Sequence, residues 1–390
     1  MRAQRLAARW DEGASLHRST VRSAIGWHFG LEAQGDWLMQ ETTTTVPKTT
    51  IGLDLGDRIT HGCVLDAHAR VVERFRFETT QAGLAGAFAR RPVCRVVLEV
   101  GTHSPWISRA LERRGHQVFV ANPKQVRSIS GSSHKNDEAD AEQLARLGRS
   151  DPQLLRPIRH RGESAQRDRG LLAVRRQLVA MRTSLSCQVH GLAKALGDPL
   201  PRCAPEALVR KVRPHQDRFP GLDQLLDVVE VLDERIKRLD QEVERMCREV
   251  YPESELIRQV PGVGPITALT FVLTLEDPAR FQKSRRVGSY LGLQPKQRDS
   301  GKRKSQLPIS KEGDRELRSL LVQCAHWILT RGPDSDLKRA GLRRMERGGA
   351  AARKKSVVAV ARKLGVVLHH LWQTGSVYEP LHHATQHAAA

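Results

Sequence analysis

The sequence predicts an α/β domain followed by a mainly helical region. Three observations carry this. Between 50 and about 150, short alternating apolar runs interleave with helical stretches. From about 164 onward, apolar residues recur at three-to-four spacing with few strand signals. Basic residues are dense throughout: 64 Lys and Arg face 43 Asp and Glu, a formal charge of +21.

That excess says little about fold and much about partners. It suits a polyanion, most simply nucleic acid. Chromatin-like packing proteins share such charge but are usually shorter and simpler than this 390-residue chain, whose length suits two or three domains. No apolar run of about 18 residues occurs, so no membrane-spanning helix is expected. The basic N-terminus lacks the apolar segment of a secretory signal. Six cysteines, at 63, 94, 187, 203, 247 and 324, form no CxxC pair. Zinc and disulfide frameworks are therefore not expected, and a reducing cytoplasm is.

Residues 1–48 mix Arg, Ser, Gly and Trp without periodicity. They are expected to form a poorly ordered extension, with Met39 a candidate natural start beside Met1. Residues 49–160 carry the α/β pattern. Strands are predicted over Thr50–Leu55, His61–Leu65 and Val71–Phe77, with turn residues at Asp57 and Asp66 between them. A helix over Ala82–Ala89 follows, then a strand over Cys94–Glu99, a helix over Ser104–Arg114 closed by Gly115, and a strand over Gln117–Ala121. Asn122-Pro123 opens a short helix, Ser128–Asn136 is a polar loop, and Asp137–Gly148 is the next helix. Three antiparallel strands, then alternating helices and strands, is the element order of a ribonuclease-H-like fold.

Residues 161–252 predict a coiled-coil helical hairpin. Its first arm is traced by Leu171, Leu172, Leu178, Met181, Leu185, Val189 and Leu192. The second is traced by Leu225, Val229, Leu232, Ile236, Leu239, Val243 and Met246, a heptad seam. The partner of that seam, the other arm or another subunit, stays open at this level. Residues 253–375 form the third region. Val260–Ala268 has the glycines of a helix-hairpin-helix turn, Gly262 and Gly264, whose backbone N–H groups can face a phosphate. A polar loop is predicted over Gln294–Leu307, then helices over Arg315–Leu329 and Val357–Leu371, and a frayed tail over 376–390.

The chemistry starts at Ile51–Asp57. Asp54 lies inside an alternating strand, where a carboxylate is costly to bury without compensation. Taken alone it is first of all a strand-end acid bonded to a turn. Glu99 ends a later strand, and Asp137 and Asp140, three apart, share one face at a helix start. Taken alone, Glu99 suits an arginine partner, Asp137 a helix cap, and Asp140 a solvated helical position. Together, four acids from two strands and a helix can ring one or two hard cations such as Mg²⁺.

These motifs have a family likeness. Ile51–Asp57, Val97-Leu98-Glu99 with Gly101-Thr102-His103, Gly115-His116 with Val118–Pro123, and Lys135–Ala141 stand in one order. They resemble the N-terminal DEDD, RuvC-like domain of transposases of the insertion-sequence 110/1111 family. Pro261–Ala268, Arg280-Phe281, Tyr290–Leu293, Pro295, Ser300-Gly301, Ile309-Ser310-Lys311, Gly313 and Leu317-Arg318 resemble that family's C-terminal domain. The resemblance spans roughly 50 to 330.

It implies that Asp54, Glu99, Asp137 and Asp140 hold divalent metal near a scissile phosphate. It further implies a serine nucleophile at the position of Ser300, a covalent phosphoserine intermediate and a composite site. Donor and target DNA are the implied partners, together with an element-encoded bridge RNA and homodimers that pair into a tetramer, in a bacterial cytoplasm. A serine hydroxyl needs activation, and Lys302, Arg303 and Lys304 beside Ser300 can neutralise a phosphate, as can Lys311 further on. Asp299 stands where relatives often carry a second hydroxyl residue. An acid there either helps deprotonate Ser300 or repels DNA. Ser310 is expected to cap a helix. Two rival functions use the same residues differently: a Holliday-junction-resolving nuclease with water as nucleophile, and a non-catalytic DNA-binding remnant.

Overall fold

The computed structural model describes residues 47–123, 136–300, 303–346 and 348–382, with the side chains of 297–306 excepted. The expected N-terminal extension, most of the loop at 128–136, Lys302 and the end of the tail fall outside the described residues. Two compact units divide the chain, one ending at Ile158 and the other starting at Arg159.

The first unit is built on a five-stranded mixed sheet of order β3-β2-β1-β4-β5. Its strands are β1 (Thr50–Leu55), β2 (Ile59–Leu65), β3 (Val71–Glu78), β4 (Arg95–Glu99) and β5 (Gln117–Ala121). β1, β2 and β3 are antiparallel neighbours, while β4 runs parallel to both β1 and β5. Helices α1 (Gln81–Phe88), α2 (Ser104–Glu112) and α3 (Asp137–Ser150) complete it. The alternation in β1 decides which residues face which layer. Ile51 and Leu53 join Val96, Leu98, Leu84, Ile107 and Leu111 in one core. Gly52 faces the opposite layer, where a β-carbon would lie 2.0 Å from the Ala141 carbonyl oxygen and 2.5 Å from the Ala145 nitrogen. Helix α3 thus rests directly on the backbone of β1. It continues to β4, where Gly148 meets the Val97 side chain.

The second unit is mainly helical. Its two longest arms, α4 (Glu163–Ala195) and α6 (Leu222–Glu249), run antiparallel, since Arg175 pairs with Asp240 and Arg182 with Asp233. The short α5 (Leu208–Val212) closes the turn between them, with Phe219 and Leu200 in a shared core. On α6 the predicted seam holds: Val229, Leu232, Ile236, Val243 and Met246 are buried.

On α4 the predicted seam is displaced. The buried side carries Leu172, Arg182, Ser186, Val189 and Ala193, while Met181 is 44% and Leu192 41% exposed. The physical reason is ionic. Arg182 enters the seam because Asp233 and Glu206 neutralise it, so a purely apolar reading passes over it. Leu178, Met181 and Leu192 of the predicted seam, together with Val174, form a second stripe toward the outer side, while Leu185 packs against the shared core.

Around a large core sit α7 (Glu253–Arg258), α8 (Pro265–Leu275), α9 (Arg285–Tyr290), α10 (Arg315–Thr330), α11 (Asp336–Met345) and α12 (Gly349–Thr374). Helix α8 is buried from Thr267 to Leu275. Its threonines are tolerated because Thr270 and Thr274 donate back to the carbonyls of Ile266 and Thr270.

Two local expectations are corrected. The predicted loop at 294–307 is an antiparallel hairpin of β6 (Pro295–Ser300) and β7 (Arg303–Ile309). Helix α10 is capped by Asp314, whose carboxylate accepts the Leu317 N–H at 2.8 Å, and not by Ser310. The chain between them cannot serve as a cap because it is locked into a turn, with Gly292 against Glu312 and Gly313 against the Tyr290 carbonyl. Among the described residues, no helix is long and apolar enough to cross a membrane.

Candidate active site

The acid site is assembled by strand parity. Leu53 pairs in register with Leu98 on the parallel strands β1 and β4. Asp54 and Glu99 follow immediately, so they stand at the same level at the carboxyl ends of adjacent strands. Both share parity with the α3 face, Asp54 with Gly52 and Glu99 with Val97. On the other side Asp54 is paired with His61 of β2, which has the parity of Cys63 and Leu65 and so the same face. Helix α3 runs opposite to β1, because Gly52 meets Ala141 and Ala145 while Arg149, near the end of the helix, donates to the carbonyl of Pro47 ahead of the strand. Its first turn, with Asp137 and Asp140, therefore lies over the Asp54 end.

That turn is presented rather than consumed by capping. Asn136 is the cap, its side-chain oxygen accepting the Glu138 N–H at 3.1 Å. The capping role open to Asp137 is thereby taken. Asp137 keeps a 68% exposed carboxylate, 3.6 Å from His61 Nδ1.

Electrostatics report the convergence. The Asp54 carboxyl is raised from its usual 3.8 to about 6, first by burial, then by the charges of Asp137 and Asp140, with Glu99 adding and His61 opposing. As the side chains stand, no three His, Cys, Asp or Glu groups among the described residues close on one point tightly enough to hold a metal ion. The two facts are compatible. Charges couple over several ångströms, whereas coordination requires contact, and Asp137 is exposed enough to turn inward. The donor set fits a hard divalent cation: all four acids offer carboxylate oxygen, and they crowd one another without a neutralising arginine in the set that shifts Asp54.

Nothing in the sequence by itself singles out His61. Its only signal is the hairpin register opposite Asp54. His103, from the Gly101-Thr102-His103 motif, buttresses the same end of the sheet. Its Nδ1 accepts from Trp106 Nε1 at 3.1 Å, and its Nε2 faces Asp57 at 3.4 Å.

The remaining predicted residues lie in the second unit. Ser300 ends β6 and pairs with Arg303, while Lys304 pairs with Asp299. Gly262, at φ +93, and Gly264, which opens α8, lie at the α7–α8 turn and are both exposed. Gly262 could not carry a larger residue, since a β-carbon there would meet the Trp327 ring at 2.6 Å. Lys311 is exposed, with φ +57, and its N–H donates to the Gly292 carbonyl at 3.1 Å.

Comparison with known proteins supplies the class. A DEDD transposase domain model matches residues 51–196, and a model of the transposase IS116/IS110/IS902 family matches residues 254–340. A transposase for insertion sequence element IS1328 from Yersinia enterocolitica is 31% identical over 73% of this chain and 84% of its own length. A probable family 20 transposase from Pseudomonas aeruginosa is 28% identical over 85% and 98%. The transposase for IS1111A from Coxiella burnetii is 27% identical over 72% and 77%. The class is thus that of DNA transposases, enzymes of phosphoryl transfer that bind DNA, and the DEDD domain implies use of a divalent metal. Within that class, the chain belongs to the IS110/IS1111 family.

Proposed function

We propose that the protein cleaves and rejoins DNA by transferring a phosphodiester onto Ser300, with Mg²⁺ held by Asp54, Glu99, Asp137 and Asp140. The observation that carries this reading is Asp54, pushed up to about 6 by burial and by three neighbouring acids. A fold under no functional demand would neutralise such a cluster with a cation of its own. The strand order, three antiparallel strands followed by two parallel ones, supports a ribonuclease-H-like, RuvC-like assignment for the first unit.

One or two divalent ions at the acids would neutralise charge on the attacking and leaving oxygens. The chain's own part is then to orient and to exchange. Asp54 and Glu99 are fixed by the sheet, Asp137 and Asp140 by α3. The Ser300 oxygen forms a bond to phosphorus as the bond to the leaving sugar oxygen breaks, and the hydroxyl proton passes to a base. The number of phosphoester bonds is conserved, so a second sugar hydroxyl can reverse the exchange and rejoin DNA without an outside energy source. Gly262, Gly264, Lys302, Arg303, Lys304 and Lys311 are assigned to phosphate contacts.

Donor and target DNA are the substrates in this reading, with a bridge RNA as guide. A homodimer pairs into a tetramer. The outer stripe of α4 supports self-association, since Val174 at 54% and Met181 at 44% exposure present apolar surface at heptad spacing.

The test uses Ser300→Ala and Asp54→Asn in full-length protein purified with its bound RNA. Denaturant-resistant protein–DNA adducts should vanish in both, and sequencing the bound RNA should return one element-derived species. Adducts that persist in Ser300→Ala would exclude this serine. Metal-dependent nicking without any adduct in the unaltered protein would point instead to a water-using, resolvase-like nuclease.

A further inference from the structure

The second unit carries a feature that the family matches leave largely unassigned. A cleft of about 1990 Å³ lies between α11, α12 and the base of the β6–β7 hairpin. It is larger than the several hundred Å³ of a typical small-molecule site, which suits an extended polymer. Eight lysine and arginine side chains line it against two carboxylates.

What distinguishes the cleft is that its cations are gathered on facing helices. Several arginines of the long arms are neutralised, Arg175 by Asp240, Arg182 by Asp233 and Arg245 by Glu242, as is Arg213 by Asp227 in the turn between the arms. In the cleft Arg339 is so held, by Asp334. Arg343, Arg344, Lys354 and Lys355 are exposed and have no carboxylate partner among the described residues. Unpaired cations facing one another across a cleft repel, and a polyanion relieves this.

We propose that this cleft binds the phosphate backbone of duplex DNA. Its walls favour duplex over single strands. Beyond the basic residues and two imidazoles, His370 and the Glu379-bonded His382, they are largely aliphatic, with Ala351, Val358 and Ala359 on α12. Unstacked bases need exposed aromatic platforms, and the one tyrosine there, Tyr378, is packed against the core with its N–H donated to Gln259. The cleft also abuts the hairpin at Pro295 and Ile309, which pair with each other. Ser300 stands five residues further along β6, roughly 17 Å at the rise of a strand. Only this last placement rests on the assignment of Ser300. It puts the gripped duplex about five base pairs from the point of exchange.

The experiment measures binding of full-length protein to a 40-base-pair duplex of arbitrary sequence, about the length of four helical turns, as a function of salt. The variant is Arg343→Ala, Arg344→Ala, Lys354→Ala and Lys355→Ala combined. The slope of log affinity against log salt should fall by about 0.9 for each phosphate left unneutralised, equally for unrelated sequences. Arg343→Lys with Arg344→Lys should keep the slope, and Arg238→Ala with Arg245→Ala, on the neutralised arms, should leave it unchanged. An unchanged slope in the quadruple variant overturns the proposal. So does an equal loss in the arm variant, or a loss for RNA of the same length while duplex binding is kept. Because this reads binding rather than adducts, it fails independently of Ser300→Ala.

Discussion

The acid site of the first unit and the paired arms of the second treat charge in opposite ways. Around Asp54 three further carboxylates gather, and among the described residues the charge that opposes them at Asp54 is that of His61. In the α4–α6 seam each inserted arginine meets an acid, as Arg182 meets Asp233 and Glu206. The seam arginines are structural: remove one and a partner is stranded. The acids are the reverse, since removing one relieves its neighbours. Charge is thus left uncompensated around Asp54 and neutralised in the seam.

The contrast is most sharply broken at Asp54. Asp54→Asn should lower strand exchange on the order of 10³-fold while making the metal-free protein more stable at neutral pH. The sign follows from proton linkage. The folded-state value, about 6, lies above the usual 3.8, so the folded protein binds more protons between these values. The contribution of Asp54 to the stability of the metal-free protein should thus be greatest below about pH 4, decline as pH rises to about 6 and then level off, measured as the difference from Asp54→Asn. The Asp54→Asn variant should lack that component, and Mg²⁺ at pH 7 should raise the melting temperature of the unaltered protein but not of the variant. A melting-temperature difference between the two proteins that does not change with pH would refute the carboxylate cluster.

Next in size is Gly52→Ala. Its β-carbon would collide with backbone, which cannot rotate away. Urea unfolding should show a loss of about 3 kcal/mol, together with loss of the metal-induced stabilisation. Arg182→Ala should cost roughly 2–3 kcal/mol, below a fully buried pair because Asp233 keeps 30% exposure. Arg182→Met with Asp233→Leu should restore most of it, whereas a similar replacement of Asp54 and Glu99 should abolish exchange. Smallest is Met181→Glu on the outer stripe. Its effect on monomer stability should stay within about 0.5 kcal/mol, and sedimentation should show weakened self-association.

Much of the first unit was legible because its rules are local. Alternation over 50–55 predicts β1, and Glu99, Asp137 and Asp140 lie near enough to Asp54 to raise its carboxyl. His61 was hidden because its role exists only in the register between two strands. The α4 seam was hidden for a related reason: Arg182 is hydrophilic by any scale, and Asp233 and Glu206, 51 and 24 residues away, make it an interior residue. The β6–β7 hairpin escaped because its strands, such as Lys296-Gln297-Arg298-Asp299, carry no apolar alternation. Ser310 looked like a cap from its type, but Asp314 holds the position from which a carboxylate reaches the third helical N–H.

The contact at Gly52 has a consequence for how tightly the site is toleranced. Most helices ride on a sheet through interlocking side chains, a cushion that any substitution can thicken or thin. Here peptide rests on peptide at Ala141 and Ala145, so the seat is incompressible. The offset between the first turn of α3 and the end of β1 is set by bond lengths and van der Waals radii. Drift in the flanking cores has no lever on it. So long as position 52 stays bare, the carboxylates keep their gauge.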